Sequence, residues 1–403
     1  MTASGQGPLS GVTVIELCHV MAGPTCGLML ADMGANVIKV EKRDGGDDTR
    51  KTLPPDVNGE SAAFMMMNRN KRGIVVDLKN PDGQAVLRRL LARADIVTEN
   101  YRKGTLAKLG LDYEELRRDN PGLILGAISG FGRSGPYAER AGFDLVAQGM
   151  SGLMSITGEG PERPPVKVGA PVTDITAGLL LALGVVSAYV HRLRTGEGQM
   201  VDTSLFEAGI THTYWQSAIA FATGAPPLSM GSAHPLNAPY QAVRTADGYI
   251  NIGAANDKNW RLMLQAIGRE ALAEDERFAE NAGRMAHREA LIASLEETFV
   301  TRSSADWLAI LEAAGVPAGP ILNVSEMHAD PQAIARDMVP TLEHPVAGPV
   351  QTIGLPLKFA DTPGAVARPA PLFGQHTGEV LLEFDFDADE IERLNESGAI
   401  YCG

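Results

Sequence analysis

Cysteine and histidine are scarce in this 403-residue chain, and their scarcity narrows the chemistry. The three cysteines, Cys18, Cys26 and Cys402, supply neither a disulfide framework nor the paired spacing of a thiolate metal site. The eight histidines contain no H-x-x-x-H pair, so no metal cofactor is expected. There is no G-x-x-x-x-G-K-[ST] loop to cradle a nucleotide phosphate and no G-x-S-x-G elbow to present a serine nucleophile. After the first predicted strand the turn reads Cys18-His19-Val20-Met21-Ala22-Gly23-Pro24, with one glycine where a dinucleotide site needs G-x-G-x-x-G. Basic residues are also outnumbered, 35 against 49 acidic, and the net charge of −14 speaks against a nucleic-acid partner. Residues 1–8 lack the basic-then-apolar order of a secretory leader. Even the apolar residues 177–190 read as too short to span a bilayer. A soluble, cytoplasmic protein with no membrane partner is the expectation.

Against these absences, 44% hydrophobic and 21% charged residues fit a globular protein, and the length predicts two domains. Val12-Thr13-Val14-Ile15-Glu16-Leu17 reads as a buried strand, residues 27–34 as a helix, and Val37-Ile38-Lys39-Val40 as a strand. Gly73-Ile74-Val75-Val76-Asp77-Leu78 is a third strand and residues 83–92 a helix, with Ile96-Val97 and Leu123-Ile124-Leu125 completing the series. Such alternation predicts an α/β fold with a mostly parallel, doubly wound sheet whose ligand sits at the carboxyl ends of the strands. The loops after Leu17, Val40, Leu78 and Val97 are therefore expected to converge. Residues 1–222 form the large domain, and the Gly/Pro/Ser-rich residues 223–239 a linker. A smaller α+β domain follows over 240–322, with a strand at 249–252 and helices at 259–267, 286–300 and 306–314. A second linker covers 323–345, and 346–403 form a Pro/Gly-rich tail with an acidic helix at 388–397.

Asp174 opens a long apolar helix in the run Gly169-Ala170-Pro171-Val172-Thr173-Asp174-Ile175-Thr176-Ala177-Gly178. Orphan backbone N–H groups and the positive end of the helix dipole meet there and are expected to hold the carboxylate ionised. The glycines leave room for a substrate. The plain alternative is that Asp174 is an N-cap.

Read in order, several runs resemble the class III CoA-transferases, the formyl-CoA transferase and carnitine CoA-transferase family, nearly end to end. They are Pro8-Leu9-Ser10-Gly11-Val12, Leu30-Ala31-Asp32-Met33-Gly34-Ala35-Asn36-Val37, Asn68-Arg69-Asn70-Lys71-Arg72-Gly73 and Glu99-Asn100-Tyr101-Arg102-Lys103-Gly104. Ser129-Gly130-Phe131-Gly132, Gly196-Glu197-Gly198-Gln199-Met200-Val201-Asp202 and Gly374-Gln375-His376-Thr377 complete the set. By that resemblance Asp174 is the catalytic nucleophile, moving CoA from an acyl-CoA donor to a carboxylic acid acceptor through an aspartyl-CoA thioester. Coenzyme A enters as substrate, with neither a metal nor a nucleotide cofactor.

The resemblance also implies the CoA contacts. His19, Val20, Met21 and Ala22 would lie along the cofactor, with Lys42 near its phosphates or adenine. Val76, Asp77, Leu78 and Lys79 would form the adenine-side loop, and Asn100, Tyr101 and Arg102 another contact loop. Lys108 would meet a phosphate, and Phe143 and Asp144 would stand near the thiol end. The ordinary reading of each cation is a solvated surface charge, and of Asp144 a helix cap. The racemase branch of the family, typified by α-methylacyl-CoA racemase, has a histidine where Phe143 stands, and phenylalanine carries no proton. That isomerase and a non-catalytic CoA-binding protein are the alternatives. Residues 253–260 hold one glycine, against a formyl-CoA:oxalate pairing, and small dicarboxylates such as succinate or glutarate are the expected acids. Asn256, Lys258, His234 and Asn237 are candidates for the acceptor side. The implied fold is a Rossmann-like large domain, completed by the returning 346–403, plus the small domain, in an interlocked, ring-like homodimer.

Overall fold

A computed structural model describes residues 7–403. Two compact units are present. The larger comprises the chain up to Leu153, Val168–His212 and Pro331–Gly403. Its centre is a seven-stranded sheet of β1 (Thr13–Leu17), β2 (Asn36–Glu41), β3 (Arg72–Val76), β4 (Ile96–Glu99), β5 (Ile124–Ser129), β6 (Met200–Ser204) and β7 (Ile400–Tyr401). The spatial order is β7-β3-β2-β1-β4-β5-β6, parallel throughout except β7, which runs antiparallel to β3. Without β7 this is the 3-2-1-4-5-6 order of doubly wound nucleotide folds.

Alternation along the strands loads both faces. Val14, Val37, Ile96 and Ile124 pack with α1 (Ala22–Asp32) and with Leu181 and Val185 on one side. Ile15, Ile38, Ile74 and Val97 pack on the other with Val86, Leu87 and Leu90 of α2 (Pro81–Leu91) and with Val380 and Leu381. α1 begins earlier than the 27–34 read from the sequence. Gly23 and Pro24 are its second and third residues, where a proline loses no intrahelical hydrogen bond.

After α3 (Asp144–Met150), α4 spans Val172–Thr195, 24 largely apolar residues. The expectation that this run is too short to cross a membrane is therefore corrected, since its length and composition suffice. In this structure one face lies in the core, where Gly126 of β5 leaves space filled by Leu181 and Val185. Gly178 fits against the Ala22 carbonyl of α1, which a Cβ would meet at 2.5 Å. The opposite face exposes Ile175, Leu179, Leu183, Val190 and Leu193.

A charged network lies beneath the carboxyl ends of β1 and β2. Glu16 of β1 pairs with Lys39 of β2 at 3.2 Å and with Lys71 at 2.9 Å, and Lys39 also pairs with Asp47 at 2.8 Å. All four side chains are 0–1% exposed. The spare hydrogens of Lys39 and Lys71 reach the carbonyls of Cys18 and Pro24 and the amide oxygen of Asn68. Neighbouring anions raise the pKa of Lys39, and Lys39 in turn holds the Asp47 carboxyl low, both against the opposing effect of burial.

The smaller unit consists of Met154–Lys167 and Thr213–Asp330. An antiparallel sheet, ordered 318–320, 249–253, 240–244, packs with helices Asp257–Ile267, Arg288–Phe299 and Ser304–Ala313 around Trp260, Leu264, Leu295, Phe299 and Trp307. The helix expected over 286–300 is present as Arg288–Phe299, and a separate short helix, Asn281–Ala286, ends just before it at His287. Residues 154–167 and the helix Tyr214–Thr223, read from the sequence as part of a continuous 1–222, group with this unit. Gly231 N–H bonds the Gly158 carbonyl at 2.8 Å, and Ile156 lines a hollow shared with Ile219 and Leu228.

Removing one member of a buried ion network leaves its partner desolvated and unpaired. Glu16→Gln and Lys71→Met are each expected to lower the unfolding free energy by about 3–5 kcal/mol, as urea denaturation of the two variants would show.

Candidate active site

In open parallel sheets the ligand crevice forms where strand order reverses, here between β1 and β4. The Asn100 amide, just past β4, clamps the loop after β1, accepting His19 N–H at 3.0 Å and donating to the His19 carbonyl at 2.8 Å. Tyr101 meets the His19 ring edge-on at 5.8 Å, and burial pushes its phenol up to about 12. Burial lowers the His19 pKa, favouring the neutral ring. Val20 has φ +67°, a left-handed conformation uncommon for a β-branched residue. Its N–H is held by the Asp47 carboxylate at 3.2 Å, so the buried charges reach the crevice wall directly.

The second part of the site is the start of α4. Pro171, not Asp174, occupies the N-cap, and it offers no side-chain hydrogen bond. The N-cap alternative for Asp174 is thus excluded. The cap comes from α3 instead: Asp144 Oδ1 accepts Thr173 N–H at 3.0 Å and Thr173 Oγ1–H at 2.7 Å. Gln148, fully buried one turn along α3, donates to Asp144 Oδ2 at 2.8 Å and accepts Val168 N–H at 2.9 Å. Asp174 itself has no hydrogen-bond donor or cation on its carboxylate among the described residues. Burial first, and the Asp144 charge second, raise it from the ordinary 3.8 to about 6. The expectation that helix-end N–H groups hold this carboxylate ionised is therefore corrected: Asp144 has taken the Thr173 N–H, and the Asp174 pKa is raised, not lowered.

Gly178 stands one turn beyond Asp174 on the same helical face, and it rests on Ala22, the residue that follows the crevice loop. This contact brings the His19–Ala22 and Asn100–Tyr101 groups together with the start of α4. Lys42 is tied to Asp48 at 2.5 Å on the surface of the loop after β2. Lys79, Arg102 and Lys108 are exposed and have no acidic partner among the described residues. Val76 cannot offer its side chain to a ligand, because it is fully buried under α2 and paired with Ile400 of β7. Asp77 and Leu78 start the next turn, where Asp77 accepts Lys79 N–H at 3.0 Å. Phe143 is 76% exposed beside Asp144. In the smaller unit Asn256 caps the helix Asp257–Ile267 through Asn259 N–H at 2.8 Å, and His234 Nδ1 accepts Leu236 N–H at 3.1 Å. The sequence reading gave no site role to Asp47, Thr173 or Gln148. The i, i+4 pair of Asp144 and Gln148 was the available signal.

Residues 9–377 match the family model of CoA-transferase family III. The chain belongs to CoA-transferase family III. It is 44% identical over 384 residues to the succinate–glutarate CoA-transferase of Agrobacterium fabrum, covering 94% of this chain and 96% of that one. The succinyl-CoA:glutarate CoA-transferase of Homo sapiens is 36% identical over 98% of this chain and 90% of its own. A crystal structure of a CAIB/BAIF family protein from Brucella suis superposes with a TM-score of 0.84 at 43% identity, covering 94% of this chain and all of that one. This family III member is an enzyme that transfers CoA between an acyl-CoA and a carboxylic acid.

The raised pKa carries a stability consequence. A carboxyl group that titrates higher in the fold than in the unfolded chain stabilises the fold while neutral. That contribution is full below about pH 4 and is lost as pH rises through about 6. Asp174→Asn, which cannot ionise, is expected to melt above the parent at neutral pH, with the difference closing below about pH 4 in a pH series of thermal melts.

Proposed function

We propose that Asp174 is the nucleophile of this CoA-transferase and that its preferred acids are small dicarboxylates. The observation that carries the proposal is a carboxylate without a cation or cap partner at the start of a helix, with its pKa raised to about 6. Above that pH it is ionised, and it is more basic than a substrate carboxylate in water, hence the better nucleophile. An Asp174 oxygen attacks the donor thioester carbonyl and expels CoA thiolate, leaving an aspartyl–acyl anhydride. The thiolate attacks the aspartyl carbonyl, releasing the donor acid and forming an aspartyl-CoA thioester. The acceptor carboxylate attacks that thioester, giving a new anhydride and CoA thiolate. The thiolate then takes the acceptor's acyl group, and Asp174 is regenerated as carboxylate. The energy of the thioester is conserved across the cycle.

In this scheme the pantetheine arm of CoA follows His19–Met21 and the clamp of Asn100, and Arg102, Lys79 and Lys108 face its phosphates. Val76 contributes only backbone. The relatives named for succinate and glutarate support succinyl-CoA as a donor and glutarate as an acceptor. The protein acts in the cytoplasm as the interlocked homodimer that the family resemblance implies. The exposed apolar stripe of α4, with Leu183 at 65% and Leu193 at 70%, supports a second copy as its cover. Phe221, 88% exposed in the smaller unit, supports the same reading.

Two measurements test this. Incubation with succinyl-CoA, hydroxylamine trapping and peptide mass spectrometry should mark Asp174, and Asp174→Ala should lower turnover about a thousandfold or more. An unmarked Asp174 with normal turnover would defeat the mechanism. Sedimentation equilibrium should find a dimer, and the double change Leu183→Glu with Leu193→Glu should shift it toward monomer. A monomeric parent excludes the assembly.

A further inference from the structure

Among buried polar side chains of the larger unit that pairing alone does not explain, Gln148 has the most specific geometry. It is fully buried, and its amide bonds two separate pieces of chain. Oε1 accepts Val168 N–H at 2.9 Å, and Nε2 donates to Asp144 Oδ2 at 2.8 Å, with the Ala170 carbonyl at 3.4 Å. An N–H on one side and a carboxylate on the other fix which way the amide faces, since the reversed rotamer would set donor against donor. Asp144 passes the restraint on through its two bonds to Thr173, the residue before Asp174. The assembly is closed by the helix Leu205–Thr211. A Cβ on its Gly209 would meet Ser151 Oγ at 2.3 Å and Thr173 Cγ2 at 3.3 Å, so there is no slack around Thr173.

We propose that Gln148 is a positioning residue for CoA transfer: it fixes the segment from Val168 to Ala170 and the Asp144 cap in one geometry, and so sets where the Asp174 carboxylate points. The inference rests on the reading of Asp174 as nucleophile. Gln148 is fully buried with its amide already bonded to Asp144 and Val168, so in this role it acts on the rate of the covalent step and not on acyl-CoA binding. Gln148→Met keeps the length and loses both bonds. Gln148→Glu keeps the acceptor for Val168 N–H and loses the donor to Asp144.

The test uses the purified full chain with succinyl-CoA as donor and glutarate as acceptor, following single-turnover labelling of Asp174 by hydroxylamine trapping beside steady-state kinetics and thermal melts. Gln148→Met is expected to label about 100-fold more slowly, as misplacement by about 1 Å would produce, with KM for succinyl-CoA within about threefold of the parent. Gln148→Glu is expected to be slowed as well, because retaining the Val168 bond alone leaves the Asp144 cap unsupported. Labelling of either folded variant at the parent rate overturns the proposal, as does a loss expressed wholly in KM. If the parent is not labelled on Asp174 at all, the nucleophile reading fails and this inference fails with it. Parent labelling with unaffected variants removes the Gln148 role alone.

Discussion

The hydrogen bonds from Thr173 to Asp144 decide what the start of α4 can do. A helix N-terminus has several backbone donors and few ways to satisfy them. Had Asp174 taken them, its carboxylate would be stabilised as an anion and turned in toward its own helix. Because α3 supplies the cap, Asp174 keeps its lone pairs, is half-buried and feels a second anion. The site thus has a basic, unsatisfied carboxylate on a rigid element at a small cost to the fold. This is the familiar tension between stability and a reactive group.

The loop after β1 is fixed by a similar relay. Glu16, Lys39 and Asp47 form a chain of buried charges whose last carboxylate holds Val20 N–H. Asn100 fixes the preceding peptide from the other side of the switch point. No glycine-rich fingerprint shapes this turn. Side-chain hydrogen bonds shape it instead.

The first five strands of the large unit, with α1 and α2, were legible because alternating β-branched runs and helical patterns bury both faces of a parallel sheet, whereas the edge strands β6 and β7 were not read as strands. The position of Asp174 was legible from its local run and from the family resemblance. Its electrostatics were not, because the cap that frees it comes from a residue 29 positions before Thr173 and no local pattern encodes that contact. Lys39 and Glu16 sat inside strand patterns as ordinary charged residues until three-dimensional pairing showed them fully buried. The limits of the smaller unit were equally hidden. Residues 154–167 join it through contacts with Gly231 and with the neighbourhood of Ile219, made across a long stretch of sequence.

β7 carries a consequence for biosynthesis. Ile400 pairs with Val76, so the outer edge of β3 stays uncovered until nearly all the intervening chain, including the whole of the smaller unit, has left the ribosome. During that interval a strand ending in Ile74, Val75 and Val76 presents free backbone donors and acceptors, the feature that invites intermolecular pairing. The nascent large unit therefore has a long window in which that edge is open to other chains.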